Sequence, residues 1–142
     1  MVLYWLSWHG YECARIDHVG IDLIARNTSG ERMGISVKCR SRYEGTESVS
    51  INLPTDGFEK AQDACDNFGL SPYYAIVVHG GGCIRCFVVS LPHLLELVGG
   101  KVGGMRYWQM TDKSLEQYRQ DQDIEEFQFD AVFDSWREAA RD

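Results

Sequence analysis

No apolar run in the 142 residues approaches the length needed to span a bilayer, so the chain reads as having no membrane-spanning helix. The opening MVLYWLSWHG has tryptophan and histidine but no basic stretch ahead of its apolar residues, which does not fit a secretory signal. Cytoplasm is therefore the expected compartment. The five cysteines, Cys13, Cys39, Cys65, Cys83 and Cys86, are odd in number and lie mostly in strand-like contexts, so they are expected to be reduced and structural. Cys83-Ile84-Arg85-Cys86 has no second ligand pair at comparable spacing, which argues against a zinc site. His79-Gly80-Gly81-Gly82 lacks the Lys-Ser/Thr and helix start of a phosphate loop and reads as a turn. There is no internal repeat and no low-complexity segment.

Positive charge is also short. The net charge of −7 would argue against a nucleic-acid partner, but its distribution is uneven. Residues 112 to 142 hold 10 acidic and 4 basic side chains, which leaves residues 1 to 111 close to neutral, at a net of −1. Within that front part Arg32, Lys38, Arg40 and Arg42 form a local basic stripe. Such a stripe can meet phosphates or simply be a solvated strand end.

The segment from Asp17 to Arg42 carries the chemistry. Ile21, Leu23 and Ala25 alternate with Asp22 and Ile24, and Ile35, Val37 and Cys39 alternate with Ser36, Lys38 and Arg40. Turn residues Asn27-Thr28-Ser29-Gly30 join the two runs, which predicts a β-hairpin with Asp22 opposite the neighbourhood of Val37 and Lys38. A carboxylate and an ammonium then share one side of the sheet. On a solvated face such a pair is common and contributes little. Against that, Asp22 interrupts the apolar run VGIDLIA, where an ionised carboxylate is costly without a cation to hold it, and Gly20 marks a bend or a close backbone approach.

Gly20-Ile21-Asp22-Leu23-Ile24-Ala25 followed by Ser36-Val37-Lys38 resembles the PD-(D/E)XK nuclease superfamily, especially its restriction-endonuclease-like and Holliday junction resolvase-like members. The resemblance implies that Asp22 is a metal-binding carboxylate, that the backbone carbonyl of Val37 completes a ligand position, and that Lys38 is the catalytic lysine. It places Ser36 where the second carboxylate belongs. Glu12, Asp17, Glu31 and Glu44 are the acids near enough in sequence to be considered as substitutes. The family's first helix also carries an acid that would here precede Met1, so that helix reads as truncated. Mg2+ or Mn2+ is the implied cofactor, DNA the implied partner, and a homodimer an allowed assembly. The reaction implied is metal-dependent hydrolysis of phosphodiester bonds. Ser36, the absent acid and the acidic aromatic tail also fit a second reading, a catalytically impaired module that binds nucleic acid or a protein.

Elsewhere, residues 2 to 9 read as the end of a helix stopped at Gly10, and Tyr11 to Ile16 as a strand. Asp17 and His18 read as a loop, able to lend a ligand or contact substrate or to be merely solvated. Ser48 to Leu53 reads as a short strand broken by Pro54-Thr55-Asp56-Gly57, and an amphipathic helix follows from Phe58, on which Lys60 and Gln62 match loosely the family's DNA-contacting positions. YYAIVV and CIRCFVVS form a glycine-turned hairpin, and a helix begins at Pro92, where His93 reads as a surface or capping residue. MRYWQM reads as an edge strand, and the end of the chain, with Phe133 and Trp136, as helical. The expected architecture is α/β, a mixed sheet flanked by helices with an αβββαβ core over residues 1–104. Residues 105–142 form an acidic aromatic extension packed on the core or on a partner.

Overall fold

A computed structural model describes residues 1–99 and 104–131. In chain order they form α1 (Val2–Trp8), β1 (Glu12–His18), β2 (Ile21–Arg26), β3 (Arg32–Ser41), β4 (Ile51–Pro54) and α2 (Thr55–Phe68). There follow β5 (Ser71–Gly80), β6 (Cys83–Ser90), α3 (Leu91–Leu97), β7 (Met105–Trp108), α4 (Asp112–Gln120) and β8 (Ile124–Asp130). Six strands make one sheet in the order β1-β2-β3-β5-β6-β8, and β4 pairs with β7 in a separate ribbon. All neighbours in the large sheet are antiparallel except β3 and β5, whose connection crosses through β4 and α2. This is the mixed α/β architecture that the pattern of elements predicts.

Strand alternation divides the core between the two faces of the sheet. On one face Tyr74, Ile76 and Val78 of β5 and Phe87 and Val89 of β6 pack against Phe58 and Ala61 of α2, Leu94 of α3, and Leu115 and Tyr118 of α4. On the other, Ala75, Val77, Cys86 and Val88 join Leu23, Ala25, Met33 and Ile35 under Val2 and Leu6 of α1. β5 is buried from both sides, which is why its sequence is continuously apolar.

Two glycines let α2 lie close on the β1–β2–β3 corner. A Cβ at Gly34 would stand 2.5 Å from Cys65 Sγ, and one at Gly20 would stand 2.2 Å from the carbonyl oxygen of Lys60. Gly20 also has φ of +101°, so both the backbone conformation and the contact require a residue without a side chain. The strand start is thereby held against the second turn of α2. Ile21 packs with Ala64 and Cys65 beneath that helix, not with Leu23 and Ala25, so the alternation expected for β2 begins only at Asp22.

The local structure departs from expectation at two other places. Thr55-Asp56-Gly57 does not break the chain but forms the first turn of α2, with Pro54 extended at the N-cap (φ −61°, ψ 132°) and Asp56 favourably placed near the helix's positive end. Asp17 and His18 belong to β1 and not to a loop; the turn is Val19-Gly20. Residues 105–131 are built into the domain. β7 pairs with β4, β8 forms a sheet edge beside β6, and Trp108 is fully buried with its ring stacked 4.1 Å from Tyr118. The helix expected around Phe133 and Trp136 lies outside the described residues.

Candidate active site

The β2–β3 register is set by a short hairpin loop. Asn27 N–H donates to the Glu31 carbonyl at 3.0 Å, leaving Thr28, Ser29 and Gly30 as the loop, with Gly30 at φ +90°. Arg26 pairs with Arg32 and Leu23 with Ile35, and the same register continued places Asp22 level with Ser36. Asp22 is therefore one to two residues away from the expected alignment with Val37 and Lys38. Strand alternation nonetheless puts Asp22, Ser36, Lys38 and Arg40 on a single face, the one covered by α2.

Asp22 is exposed, and its Oδ2 accepts a hydrogen bond from the Val37 N–H at 2.7 Å. Solvent and this backbone donor sustain its charge, so the cation expected to hold it is not needed; among the described residues Asp22 makes no ion pair within 4.0 Å. Lys38 is half-buried, with Nζ 5.9 Å from the centre of the Tyr74 ring, near the outer limit of a cation–π contact. Ser36 is buried, at 2% exposure, and sits directly across from Tyr74 in the parallel β3–β5 pairing.

Tyr74 and the first turn of α2 complete the site, and sequence reasoning missed both. The Tyr74 phenol is pushed up to about 12, first by burial and then by the negative charges of Asp56 and Asp22, with Ser36 opposing the shift. Asp22 stands level with Ser36, which pairs with Tyr74, and Asp56 adjoins Gly57, where an added Cβ would lie 3.2 Å from the Tyr74 hydroxyl. Lys60 donates to Asp56 Oδ2 at 2.8 Å, one helical turn away, and that bond and charge hold the Asp56 carboxyl below its ordinary range. Tyr74 gives no local signal in its apolar strand, and Asp56 lies 18 positions beyond Lys38 in a segment that reads as a turn.

The acids considered as substitutes for Ser36 are engaged or placed elsewhere. Glu12 pairs with Arg26 at 3.6 Å, and Glu31 accepts from Asn27 and from the Tyr73 hydroxyl, each at 3.1 Å. Glu44 is in an exposed turn, and Asp17 is exposed near the end of β1. His18 Nδ1 contacts the Val19 carbonyl oxygen at 2.7 Å, and its ring meets Phe68 edge-on at 5.2 Å, toward the far end of α2.

Of the basic stripe, Arg32 donates to the Gly69 carbonyl at the end of α2, away from Lys38. Arg40 is exposed, with Nη1 donating to the Cys39 carbonyl at 2.7 Å. Arg42 donates to the Ser50 carbonyl at 2.6 Å and lines a cavity of about 260 Å3 with Arg85, Glu47 and Asp112. Lys60 stands beside the Gly20 turn, whereas Gln62 donates to Asp66 at 2.8 Å. Being two residues apart on the helix, Lys60 and Gln62 do not face the same way.

A second cluster joins His93 of α3 to Asp121 and Asp123 in the α4–β8 connection, with their ligand atoms within 4.8 Å of one another. His93 Nε2 lies 2.7 Å from Asp121 Oδ2, and this hydrogen bond, followed by the one to Glu96, raises the imidazole against the opposing effect of its burial. The cluster contains none of the hairpin residues.

No protein-family model matches the chain, and no curated protein matches it. Among solved structures, Hjc, a Holliday junction resolvase from the archaeal hyperthermophile Archaeoglobus fulgidus, matches with a TM-score of 0.57. The match covers 82% of this chain and 82% of the resolvase at 15% sequence identity. The chain has that resolvase's fold. The restriction-endonuclease-like architecture expected from the hairpin is thus the architecture observed, and at this identity the fold is what the likeness shows. Among the described residues no helix is long and apolar enough to cross a membrane.

Proposed function

We propose that the protein is a divalent-metal-dependent nuclease that hydrolyses phosphodiester bonds of DNA. The observation that carries this reading is the placement of Asp22, its carboxylate held by the Val37 N–H, on the same face of the β2–β3 hairpin as Lys38, in a chain with a resolvase's fold.

The donor set fits Mg2+ or Mn2+. These hard cations take carboxylate and water oxygens and keep several waters, so two carboxylates suffice where a protein cage does not form. Asp22 has one oxygen fixed by the Val37 N–H and offers the other, and Asp56 supplies from α2 the negative charge that Ser36 lacks. Bound there, the ion would supply charge relief for the phosphoryl oxygens and a more acidic water.

The chain's own groups account for the rest. The Val37 N–H fixes the carboxylate of Asp22, so its orientation is set before substrate arrives. Lys38 polarises the attacking water, with its ammonium 5.9 Å from the centre of the Tyr74 ring. Arg40 and Lys60 receive the flanking phosphates, a role in which each cation contributes affinity without reading sequence, whereas Arg42 is held by the Ser50 carbonyl. To reach phosphate, Lys60 exchanges Asp56 for it and so leaves Asp56 available as a ligand.

The test is incubation with supercoiled plasmid and with four-way branched DNA in Mg2+ or Mn2+. Cleavage is expected to vanish with chelator and to fall roughly 10²- to 10⁴-fold in Asp22→Asn and in Lys38→Ala. Cleavage left intact by both substitutions would refute the assignment.

A further inference from the structure

Tyr74 is 1% exposed, and among the described residues its hydroxyl has no hydrogen-bond partner of good geometry. The ring is accounted for, packed edge-on against Phe58 at 5.3 Å and under Lys38. Phenylalanine would provide the same ring without the desolvation cost of an unpaired hydroxyl. The hydroxyl itself therefore needs an explanation.

Ser36 lies across from Tyr74, near enough to oppose the rise of its pKa but without a well-formed hydrogen bond to its hydroxyl, and one oxygen of each carboxylate is already taken, Asp22 Oδ2 by the Val37 N–H and Asp56 Oδ2 by Lys60. The helix presents Gly57 to the hydroxyl, where a Cβ would stand only 3.2 Å from Oη. The lack of a side chain at Gly57 lets the first turn of α2, which also carries Asp56, come close to Oη.

From this the geometry points to Tyr74 as a ligand-holding residue: its Oη donates a hydrogen bond to an oxygen, of a water or of a phosphate group, that binds beside Asp22 and Asp56. The role rests on the nuclease reading for what brings that oxygen in. An O–H donor suits an oxygen polarised by a cation or carrying phosphate charge, and the surrounding carboxylates cannot serve that oxygen as donors.

Calorimetric titration of Mn2+ into wild type, Tyr74→Phe and Asp22→Asn tests this, followed by titration of inorganic phosphate into the Mn2+-loaded proteins. Tyr74→Phe keeps the packed ring and is expected to melt no lower than wild type without metal. Loss of one hydrogen bond is expected to weaken binding about 5- to 10-fold. Weaker binding of Mn2+ alone assigns the oxygen to a water, and weaker binding of phosphate only assigns it to the phosphate; either supports the role. Unchanged affinity for both, with Asp22→Asn abolishing Mn2+ uptake, overturns the role of Tyr74 and leaves the metal site standing. A lower melting temperature for metal-free Tyr74→Phe also overturns it, since the hydroxyl would then have a partner in the protein. Mn2+ uptake that is absent, or indifferent to Asp22→Asn, overturns both.

Discussion

Replacing Gly20 by alanine tests how the site is assembled, because this residue sets β2 against α2. Alanine at φ +101° incurs about 1–2 kcal/mol of backbone strain. Its Cβ would also lie 2.2 Å from the Lys60 carbonyl oxygen and 2.5 Å from the Lys60 carbonyl carbon, atoms of a helix backbone that cannot rotate aside. Relief requires the hairpin to retreat from α2, with an overpacking cost of about 1–3 kcal/mol. The sum is about 2–5 kcal/mol. Gly30→Ala is the control, since Gly30 has φ +90° and nothing within 4 Å of an added Cβ, leaving only the strain. In equilibrium urea unfolding, Gly20→Ala is expected to lose about 2 kcal/mol more than Gly30→Ala, a difference of about 1 M in midpoint. Equal losses in the two variants would refute the claim that packing against α2 positions the strand.

Asp56→Asn is expected to lower Mn2+ affinity more than 10-fold, roughly the loss of a charged ligand, whereas Ser36→Ala changes it less than about 2-fold; calorimetry decides which position supplies the second ligand. Trp108→Ala is expected to cost about 3–5 kcal/mol in urea unfolding, since its buried ring stacks on Tyr118; a loss below 1 kcal/mol would mean that residues 105–131 fold apart from the sheet. The His93–Asp121 contact stabilises in a defined pH window. Because the His93 pKa is raised, its contribution is full below the ordinary value of 6.5 and lost as pH rises through the folded value. Because the Asp121 pKa is lowered, its contribution is present above the ordinary 3.8 and lost as pH falls through the folded value. His93→Ala is therefore expected to lose about 1 kcal/mol more at about pH 5.5 than at about pH 9, measured by urea unfolding, and a pH-independent loss would contradict the contact.

The hairpin was legible because its chemistry is written in strand alternation. Ser36, Lys38 and Arg40 share one face by alternation alone, and Asp22 joins them only in a register that sets it level with one of the three. The register itself depended on the loop, where the Asn27–Glu31 backbone bond leaves three residues outside the ladder and brings Asp22 level with Ser36. The helix α2 was visible from Phe58 onward, but its first turn was not, because Thr55-Asp56-Gly57 has turn propensity and only Pro54 ahead of it fixes the start. That turn holds Asp56, the acid that sequence proximity could not nominate. Tyr74 was hidden for a different reason: in a run of Tyr, Ala, Ile and Val every side chain reads as core, and a functional hydroxyl has no pattern of its own. The burial of Phe127 was legible but the partners of Trp108 and Phe127 were not, because Phe87 and Trp5 sit on distant elements of the chain.

Anomalous diffraction from a crystal soaked in Mn2+ shows whether an ion lodges at the hairpin. A peak is expected within coordination distance of an Asp22 carboxylate oxygen and on the side of Asp56, lost in Asp22→Asn. A peak confined to His93, Asp121 and Asp123, or none at the hairpin, would contradict the proposed metal site.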